Sequence, residues 1–349
     1  SISTAVMAVC LLTRGPLLRL IFGSVEADVM EAARSYFFYT ALSFPFIALY
    51  DAGSSIYRAQ GNTRLPMTIA VVSNGLNIAG NAVLIWEFHL GVAGAAIATL
   101  GSRVISAVVV LAFLRNPKQE IAVYGYGRIR PDGQRIRRIL SLGIPNGIEN
   151  AMFQFGKLAI QSTVSTLGTI AIAAQAMTNM LENLNSIAAI GIGIGMMTVV
   201  GQCLGAGRQD EAIYYIKKLS VIAEAVIIGC CALVYILTRP VTMLGGMEPE
   251  SAKMCFYMIG WITVVKPIVW TLAFVPAYGM RAAGDVRFSM ILSCISMWLF
   301  RVTLCIYLCR VHGFGPIAVW IGMFTDWTVR GIVFTIRFKS RRWLAHEVV

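Results

Sequence analysis

A stripe of polar side chains runs along one face of an apolar stretch, residues 139–166, that is long enough to be a transmembrane helix. At about 100° per residue these side chains share one sector of the helix, and the opposite face is apolar. The stripe is formed by Asn146, Glu149, Asn150, Gln154, Lys157 and Gln161. The opposite face carries Met152, Phe155, Leu158 and Ala159. A carboxylate among amides at bilayer depth can carry a proton or bind a cation, and the amides can hydrogen-bond a ligand.

The next apolar stretch, residues 170–200, repeats this pattern in a similar sector. Its polar residues are Gln175, Thr178, Asn179, Glu182, Asn183 and Ser186. Two neighbouring helices with polar faces predict a water-accessible cavity beside them. The alternative is that these groups make structural hydrogen bonds between helices, with Glu149 and Lys157 neutralising each other.

Two further acids are expected at bilayer depth. Asp326 has Arg330 four residues later, the spacing of an ion pair on one helix, so a structural role and a place in the cavity both stay open. Asp51 has no charged residue three or four positions away, and the cost of an unpaired charge in the bilayer favours a place in the cavity. The mid-span cations Arg103, Lys266 and Arg301 receive no role. The predicted cavity residues are Asp51, Glu149, Asn150, Gln154, Lys157, Gln175, Asn179, Glu182, Asn183 and Asp326.

Glu149 is the predicted proton carrier. It lies about one turn after Pro145 in a stripe of amides, without an adjacent fixed cation, and Lys157 is about 12 Å away along the axis. Partial burial disfavours the charged carboxylate, so we expect Glu149 to load and release a proton. A cationic ligand in the stripe would favour the ionised carboxylate, and binding of the ligand would then expel the proton.

The remaining reactive side chains form no catalytic or metal-binding pattern. The three histidines, His89, His312 and His346, fall at helix ends or in the tail, and the eight cysteines lie almost all in apolar runs without a CxxC pair. The glycines of residues 191–195 lack the preceding strand that a dinucleotide-binding loop needs, so close helix packing is expected there. We therefore expect no enzyme, no cofactor and no metal site.

Composition assigns these helices to a bilayer. Of 349 residues, 57% are hydrophobic and 13% are charged, with a mean hydropathy of +0.72, which excludes a water-soluble globule of this length. The formal net charge of +12 does not indicate nucleic-acid binding, because the basic residues are spread over short loops. A window of about 20 apolar residues predicts ten spans, at residues 2–20, 34–56, 66–86, 92–114, 139–166, 170–200, 217–238, 254–279, 288–309 and 316–337.

The basic residues also predict the orientation. Eighteen of the 29 Lys and Arg lie in connections on one side, which the positive-inside rule makes cytoplasmic. Arg58 and Arg281, at matching helix ends on that side, are expected to anchor those ends. Both ends of the chain are then cytoplasmic, and the protein is expected in the plasma (inner) membrane.

The chain contains an internal repeat at a shift of about 222 to 225 residues. This shift aligns residues 58–61 with residues 281–284, and Gly91 with Gly313. Because it spans an even number of helices, the repeat is parallel and relates two helix bundles. An all-α polytopic fold of two lobes is predicted, with four helices in residues 1–114, a basic linker at 115–133 and six helices in residues 134–349. Two helices, in roughly 75 to 100 residues, are expected before Ser1 by analogy with the second copy.

Four stretches of sequence resemble the multidrug and toxic compound extrusion (MATE) family. They are residues 57–67 (YRAQGNTRLPM), 91–99 (GVAGAAIAT), 142–145 (LGIP) and 201–207 (GQCLGAG), in the family's order over essentially the whole chain. The resemblance implies twelve helices in two six-helix lobes, of which this chain resembles helices three to twelve. It also implies export of amphiphilic, mostly cationic drugs in exchange for H⁺ or Na⁺. Where the Na⁺-linked branch has two acids, this chain has Gln154 and the neighbourhood of Trp270.

We therefore expect a drug and ion antiporter that works by alternating access, as a monomer whose partners are amphiphilic small molecules and the lipid bilayer. The main alternative is a flippase for lipid-linked oligosaccharides, since related proteins share the two-lobe plan. A pyrophosphate substrate favours a strongly cationic cavity, whereas the two polar spans offer two glutamates and one lysine. A receptor or channel is disfavoured, because a parallel repeat with interior acids suits a transporter better.

Overall fold

The computed structural model describes residues 2–22, 27–116, 122 and 132–345. These residues form helices and no strand. Their α- and π-helices make ten stretches if those that adjoin or are separated by a single residue are counted together. Each stretch overlaps one of the ten predicted spans. Seven of them are long and apolar enough, by length and composition, to cross a membrane. The predicted fold class, an all-α polytopic membrane protein, is confirmed.

The chain divides into two compact units, unit 1 at residues 1–130 and unit 2 at residues 131–349. Four helical stretches lie in the described part of unit 1 and six in that of unit 2. Most of the predicted linker, residues 115–133, lies outside the described residues, as does His346.

The described part of unit 1 contains six α-helices. They are α1 (Ile2–Leu12), α2 (Arg14–Phe22), α3 (Ala27–Leu42), α4 (Phe44–Ala59), α5 (Arg64–Ala82) and α6 (Gly91–Leu114). A π-helical turn, Val83–Glu87, extends α5. Ser43 separates α3 from α4, and Pro45 lies in the first turn of α4, where the missing N–H would have no intrahelical partner in any case.

Uncharged polar side chains join α5 to α6. Asn77 Nδ2 donates a hydrogen bond to Thr99 Oγ1 at 3.3 Å, and Ser106 Oγ donates to Ser73 Oγ at 2.7 Å. Ser73 Oγ in turn donates to the backbone carbonyl of Ser102 at 3.2 Å. Hydrogen bonds of this kind hold helices together in lipid, where the hydrophobic effect does not.

Unit 2 contains seven α-helices in its described residues. They are α7 (Gly133–Val164), α8 (Thr169–Gly205), α9 (Gln209–Leu244), α10 (Pro249–Ala282), α11 (Val286–Ser296), α12 (Thr303–Arg310) and α13 (Ile317–Lys339). Prolines lie inside α7, α9 and α10, where neighbouring helices can satisfy the freed backbone groups. The buried apolar core of this unit is formed chiefly by α8, α9, α10 and α13.

A second π-helical turn, Met297–Val302, joins α11 to α12 in one continuous stretch. Two glycines let neighbouring helices approach it closely. A Cβ atom at Gly322 of α13 would lie 2.8 Å from the carbonyl oxygen of Arg301, and one at Gly156 of α7 would collide with the side chain of Met297. The backbone at Arg301 is therefore packed directly against α13, and the side chain of Met297 is packed against α7.

Two helices of unit 2 begin earlier than the hydropathy pattern predicts. α7 begins at Gly133 and not near residue 139, because the Asp132 side chain accepts hydrogen bonds from the backbone N–H groups of Gln134 and Arg135. α9 begins at Gln209 and not near residue 217, and its first turn carries two acids, which stabilise a helix N-terminus. A hydropathy window detects only the apolar part of such a helix.

Candidate functional site

Unit 2 contains a cavity of about 410 Å³ that combines polar, charged and apolar side chains. We call it the unit 2 cavity. Its walls are supplied by α7, α8, the π turn around Arg301 and α13. The lining residues are Gln154, Lys157, Leu158, Ile160, Gln161, Gln175, Asn179, Glu182, Asn183, Arg301, Val319 and Met323. A volume of this size suits a drug-sized molecule.

Glu182 forms a buried ion pair behind the cavity wall. Lys266 Nζ of α10 lies 2.6 Å from Glu182 Oε1, and it also donates a hydrogen bond to Ser186 Oγ at 2.7 Å. Lys266 is fully buried, and Glu182 is 9% exposed. Ser186 Oγ donates to the same Glu182 oxygen at 3.0 Å. The charge of Glu182 is thus neutralised by a cation that the sequence analysis left without a role.

Two cations of the unit 2 cavity have no such partner. Arg301 is only 6% exposed, its Nε makes no hydrogen bond, and within the described residues its guanidinium forms no ion pair. It lies over the ring of Phe153, 5.2 Å from the ring centroid. Lys157, which is exposed, lies over the same ring at 5.2 Å and likewise forms no ion pair among the described residues. Cation–π contact is a weaker compensation for a desolvated cation than a carboxylate.

Asp326 and Arg330 form the i,i+4 ion pair that their spacing predicts. Arg330 Nε lies 2.7 Å from Asp326 Oδ1, and both residues are buried, at 2% and 0% exposed. Ser296 Oγ donates a short hydrogen bond to the same carboxylate oxygen, and Arg330 Nη2 donates to the backbone carbonyl of Ser293 at 3.1 Å. Asp326 does not line the unit 2 cavity, and its contacts are those of a structural pair.

Glu149 does have an adjacent cation, contrary to the sequence prediction. Arg281 Nη2 of α10 lies 2.5 Å from Glu149 Oε1, and the two side chains are 21% and 11% exposed. The prediction was wrong because the two residues are 132 positions apart, so no spacing rule within one helix could pair them. The ion pair gives Glu149 the adjacent cation that the prediction excluded, and it removes the reason for treating Glu149 as the proton carrier. It also gives Arg281 a partner beyond its expected role as an anchor.

A tryptophan side chain of α13 orients two amide side chains of α8. Trp320 Nε1 of α13 donates a hydrogen bond to Gln175 Oε1 at 3.1 Å, and Gln175 Nε2 donates to Asn179 Oδ1 at 3.4 Å. Gln175 is 2% exposed. Because the Asn179 side-chain oxygen accepts the hydrogen bond from Gln175, its amide nitrogen remains available as a donor to a ligand in the unit 2 cavity.

Asp51 lines a separate cavity of about 170 Å³ in unit 1, which we call the unit 1 cavity. Arg103 of α6 lies in the same lining, but its Nη1 donates to Ser43 Oγ at 2.5 Å. Within the described residues, no cationic group lies within ion-pair distance of Asp51. The other lining residues are Ile47, Tyr50, Ala70, Ser73, Asn74 and Ser106.

Six of the ten predicted cavity residues line the unit 2 cavity. They are Gln154, Lys157, Gln175, Asn179, Glu182 and Asn183. Asn150 does not, and its Nδ2 donates to the Asn146 carbonyl of the preceding turn at 2.9 Å. Leu158, which the helical pattern placed on the opposite face, does line this cavity. The prediction that only the polar stripe of α7 faces the cavity is therefore wrong at Leu158, because the cavity extends past the stripe onto the apolar side of the helix.

Arg301 is the lining residue that sequence reasoning missed as a site residue. The available signal was a cation at mid-span without an acid three or four positions away, the same signal that was used for Asp51. With Arg301 included and Glu149 excluded, the earlier count of two glutamates to one lysine no longer describes the unit 2 cavity. Its lining carries two cations and one glutamate, and that glutamate is neutralised by Lys266.

Comparisons with known proteins give a consistent result. Residues 1–83 and 145–307 match the family model MatE. The chain is 25% identical over 359 residues to the probable multidrug resistance protein NorM of Thermotoga maritima, covering 100% of this chain and 75% of that protein. It is 26% identical to the uncharacterized transporter YisQ of Bacillus subtilis, covering 98% of this chain and 75% of that one. A crystal structure of MATE in complex with MaL6 has the same fold, with a TM-score of 0.87 at 19% identity over 97% of this chain and 76% of that one.

Proposed function

The chain belongs to the MatE family of multidrug efflux transporters, and from this premise we propose that it exports amphiphilic molecules in exchange for H⁺ or Na⁺ by alternating access. The observation that carries the proposal is the unit 2 cavity, in which amides, unpaired cations and apolar side chains line one space of drug size. Polar and charged groups at bilayer depth are costly, so those that line a cavity mark a substrate or ion path.

Asp51 is the acid that we propose as the ion carrier. Glu149, Glu182 and Asp326 each form an ion pair at 2.7 Å or less. Asp51 lines a cavity without such a pair. A carboxylate without a fixed cation can exchange a proton or bind Na⁺ at a smaller cost than one that must first break an ion pair.

The test is an efflux assay with the full-length protein in membrane vesicles. Uptake or release of ethidium and norfloxacin is followed by fluorescence while the H⁺ and Na⁺ gradients are collapsed separately. We expect that transport stops when one of the two gradients is removed and persists without the other. Transport that persists with both gradients collapsed, or that needs ATP, would contradict a secondary active mechanism.

A flippase for lipid-linked sugars remains a second candidate, because one observation now favours it. The unit 2 cavity holds two unpaired cations, as a pyrophosphate or phosphate head group requires. Translocation of a fluorescent phospholipid or lipid-linked sugar in proteoliposomes, measured by dithionite quenching, distinguishes this function from drug export. A quenching rate equal to that of protein-free liposomes would exclude it.

The proposed setting is the plasma (inner) membrane, with the ends of this chain on the cytoplasmic side and the protein acting as a monomer. The proposed orientation is supported by the distribution of Lys and Arg over the connections. Alkaline phosphatase and fluorescent-protein fusions after Lys339 and in the connection between α8 and α9 should both report a cytoplasmic location. Periplasmic phosphatase activity at either site would reverse the orientation.

A further inference from the structure

We propose that the unit 2 cavity binds the anionic head group of an amphiphilic molecule, a carboxylate, sulfonate or phosphate, through Arg301 and Lys157. The charged residues in the cavity wall and directly behind it support this proposal. Four cations lie there, and two carboxylates compensate two of them. The cations are Lys157, Lys266, Arg301 and Arg330, and the carboxylates are Glu182 and Asp326.

The two carboxylates are already engaged by the other cations. Glu182 lies 2.6 Å from Lys266, and Asp326 lies 2.7 Å from Arg330. Asp326 and Glu182 both interact with Arg301 through space, but neither lies within ion-pair distance of it. Arg301 and Lys157 are therefore the cations left for a ligand, and a bound anion would offset the cost of holding them at bilayer depth.

The backbone of Arg301 is fixed by packing, and among the described residues no counter-ion pairs with its guanidinium. Arg301 lies in a π-helical turn, a local geometry that is frequent at functional sites. Gly322 allows α13 to approach the Arg301 carbonyl oxygen so closely that a Cβ atom there would lie 2.8 Å from it. The ring of Phe153 supports both the guanidinium and the Lys157 ammonium, each 5.2 Å from its centroid.

The rest of the lining defines the class of molecule. A guanidinium presents several N–H donors in a plane, which match the two oxygens of a carboxylate or phosphate. Amides can donate further hydrogen bonds, and the apolar lining can receive a hydrocarbon or aromatic body. The amides are Gln154, Gln161, Asn179 and Asn183, and the apolar residues are Leu158, Ile160, Val319 and Met323. This inference deepens the proposed transport function, because it names the substrate class for the same cavity.

The test compares two pyrene probes that share a butyl chain, one ending in a sulfonate and the other in a trimethylammonium group. Binding to the full-length protein in phosphatidylcholine nanodiscs is measured by fluorescence titration, and binding to empty nanodiscs is subtracted. We expect the sulfonate to bind at least about tenfold more tightly than the ammonium, which corresponds to about 1.4 kcal/mol. Equal binding, or tighter binding of the ammonium probe, would overturn the proposal.

Substitutions of Arg301 and Lys157 test whether these two cations cause the preference for the sulfonate probe. Arg301→Gln should lower the affinity for the sulfonate about tenfold or more and leave that for the ammonium probe unchanged, while Arg301→Lys should retain most of the preference. Lys157→Gln, at an exposed position, should reduce the preference even if Arg301→Gln does not fold. The matched control is Arg239→Gln, which removes an arginine that also lies over a ring, Phe256, but lines no part of the cavity. A preference that survives both glutamine variants would refute the assignment.

Two further measurements complete the test. The first distinguishes a lipid phosphate from a free amphiphile as the bound anion, and the second distinguishes failure of the anion site from failure of the transport proposal. If phosphatidylglycerol weakens sulfonate binding to the protein by more than it lowers sulfonate partitioning into matched empty nanodiscs, the occupant is a lipid phosphate. If it does not, a free amphiphile occupies the cavity. Efflux of both probes is then measured in vesicles. Sulfonate binding without export would refute the transport proposal alone, whereas export of the ammonium probe without sulfonate binding would refute the anion site alone.

Discussion

Unit 1 surrounds a cavity of about 170 Å³ with one acid, one arginine, three hydroxyl groups and one amide, whereas unit 2 surrounds one of about 410 Å³ with two unpaired cations. The helices of unit 1 are joined by uncharged hydrogen bonds such as that from Asn77 to Thr99. In unit 2, ion pairs such as Lys266–Glu182 join the helices. A charge that already has a partner is structural, and a charge without one is available to an ion or a substrate. By this criterion, the unit 1 cavity offers a carboxylate together with an arginine, whereas the unit 2 cavity offers cations.

The largest effect is expected from breaking a buried ion pair of unit 2. Asp326→Asn keeps the shape of the side chain but leaves Arg330, which is 2% exposed, without a counter-ion. Loss of one partner of a buried ion pair costs about 3 to 5 kcal/mol. Thermal unfolding of the purified protein, followed by the fluorescence of a thiol-reactive dye, should show a large fall in the midpoint.

The matched change in unit 1 removes an uncharged hydrogen bond. Asn77→Ala should cost about 1 kcal/mol, the scale of interhelical hydrogen bonds in membranes. If Asn77→Ala destabilises the protein as much as Asp326→Asn, the contrast between the two units does not hold.

The next effect concerns ion coupling. Asp51→Asn should lower efflux driven by the ion gradient about tenfold or more while substrate binding persists, because the variant removes the acid without an ion pair. Glu149→Gln should keep more than half of the wild-type efflux per folded protein, because Glu149 is paired with Arg281 at 2.5 Å and is not the proposed ion carrier. Efflux in energised vesicles measures both. The opposite ranking of the two variants would return the ion carrier to unit 2.

The smallest effect is expected from a change in the backbone geometry around Arg301, which tests whether ligand binding by the cations of unit 2 depends on that geometry. Gly322→Ala would place a Cβ atom 2.8 Å from the Arg301 carbonyl oxygen, and such overpacking costs about 1 to 3 kcal/mol. We expect a severalfold loss of affinity for the sulfonate probe, with helical content unchanged by circular dichroism. Gly195→Ala is the control, since a Cβ atom there meets no neighbour within 4 Å.

The sequence was sufficient for the elements of the fold and for contacts within one helix. Hydropathy placed each of the ten stretches, and the i,i+4 spacing predicted the pair of Asp326 and Arg330. The glycines of residues 191–195 were expected to allow close packing, and a Cβ atom at Gly193 would indeed collide with the ring of Tyr278. The outer two, Gly191 and Gly195, have no neighbour within 4 Å.

Contacts between distant helices could not be read from the sequence. The pair of Lys266 and Glu182 spans 84 residues and that of Arg281 and Glu149 spans 132 residues. A helical pattern shows which residues share a face, but it does not show which helix that face meets. Arg301 was missed for a second reason. Arg301 lies in a π turn, to which spacing rules for 3.6 residues per turn do not apply.

The π turn at Met297–Val302 also bears on how the protein can change by insertion and deletion. A single-residue deletion in a regular helix rotates everything beyond it by about 100° and disrupts packing along its whole length. Here the wider turn holds one surplus residue, so deletion of Leu299 would restore an uninterrupted α-helix while α11 and α12 keep their packing. Only the turn itself would reorient, and with it the guanidinium of Arg301. A one-residue length change at this point would therefore alter ligand preference without rebuilding the fold.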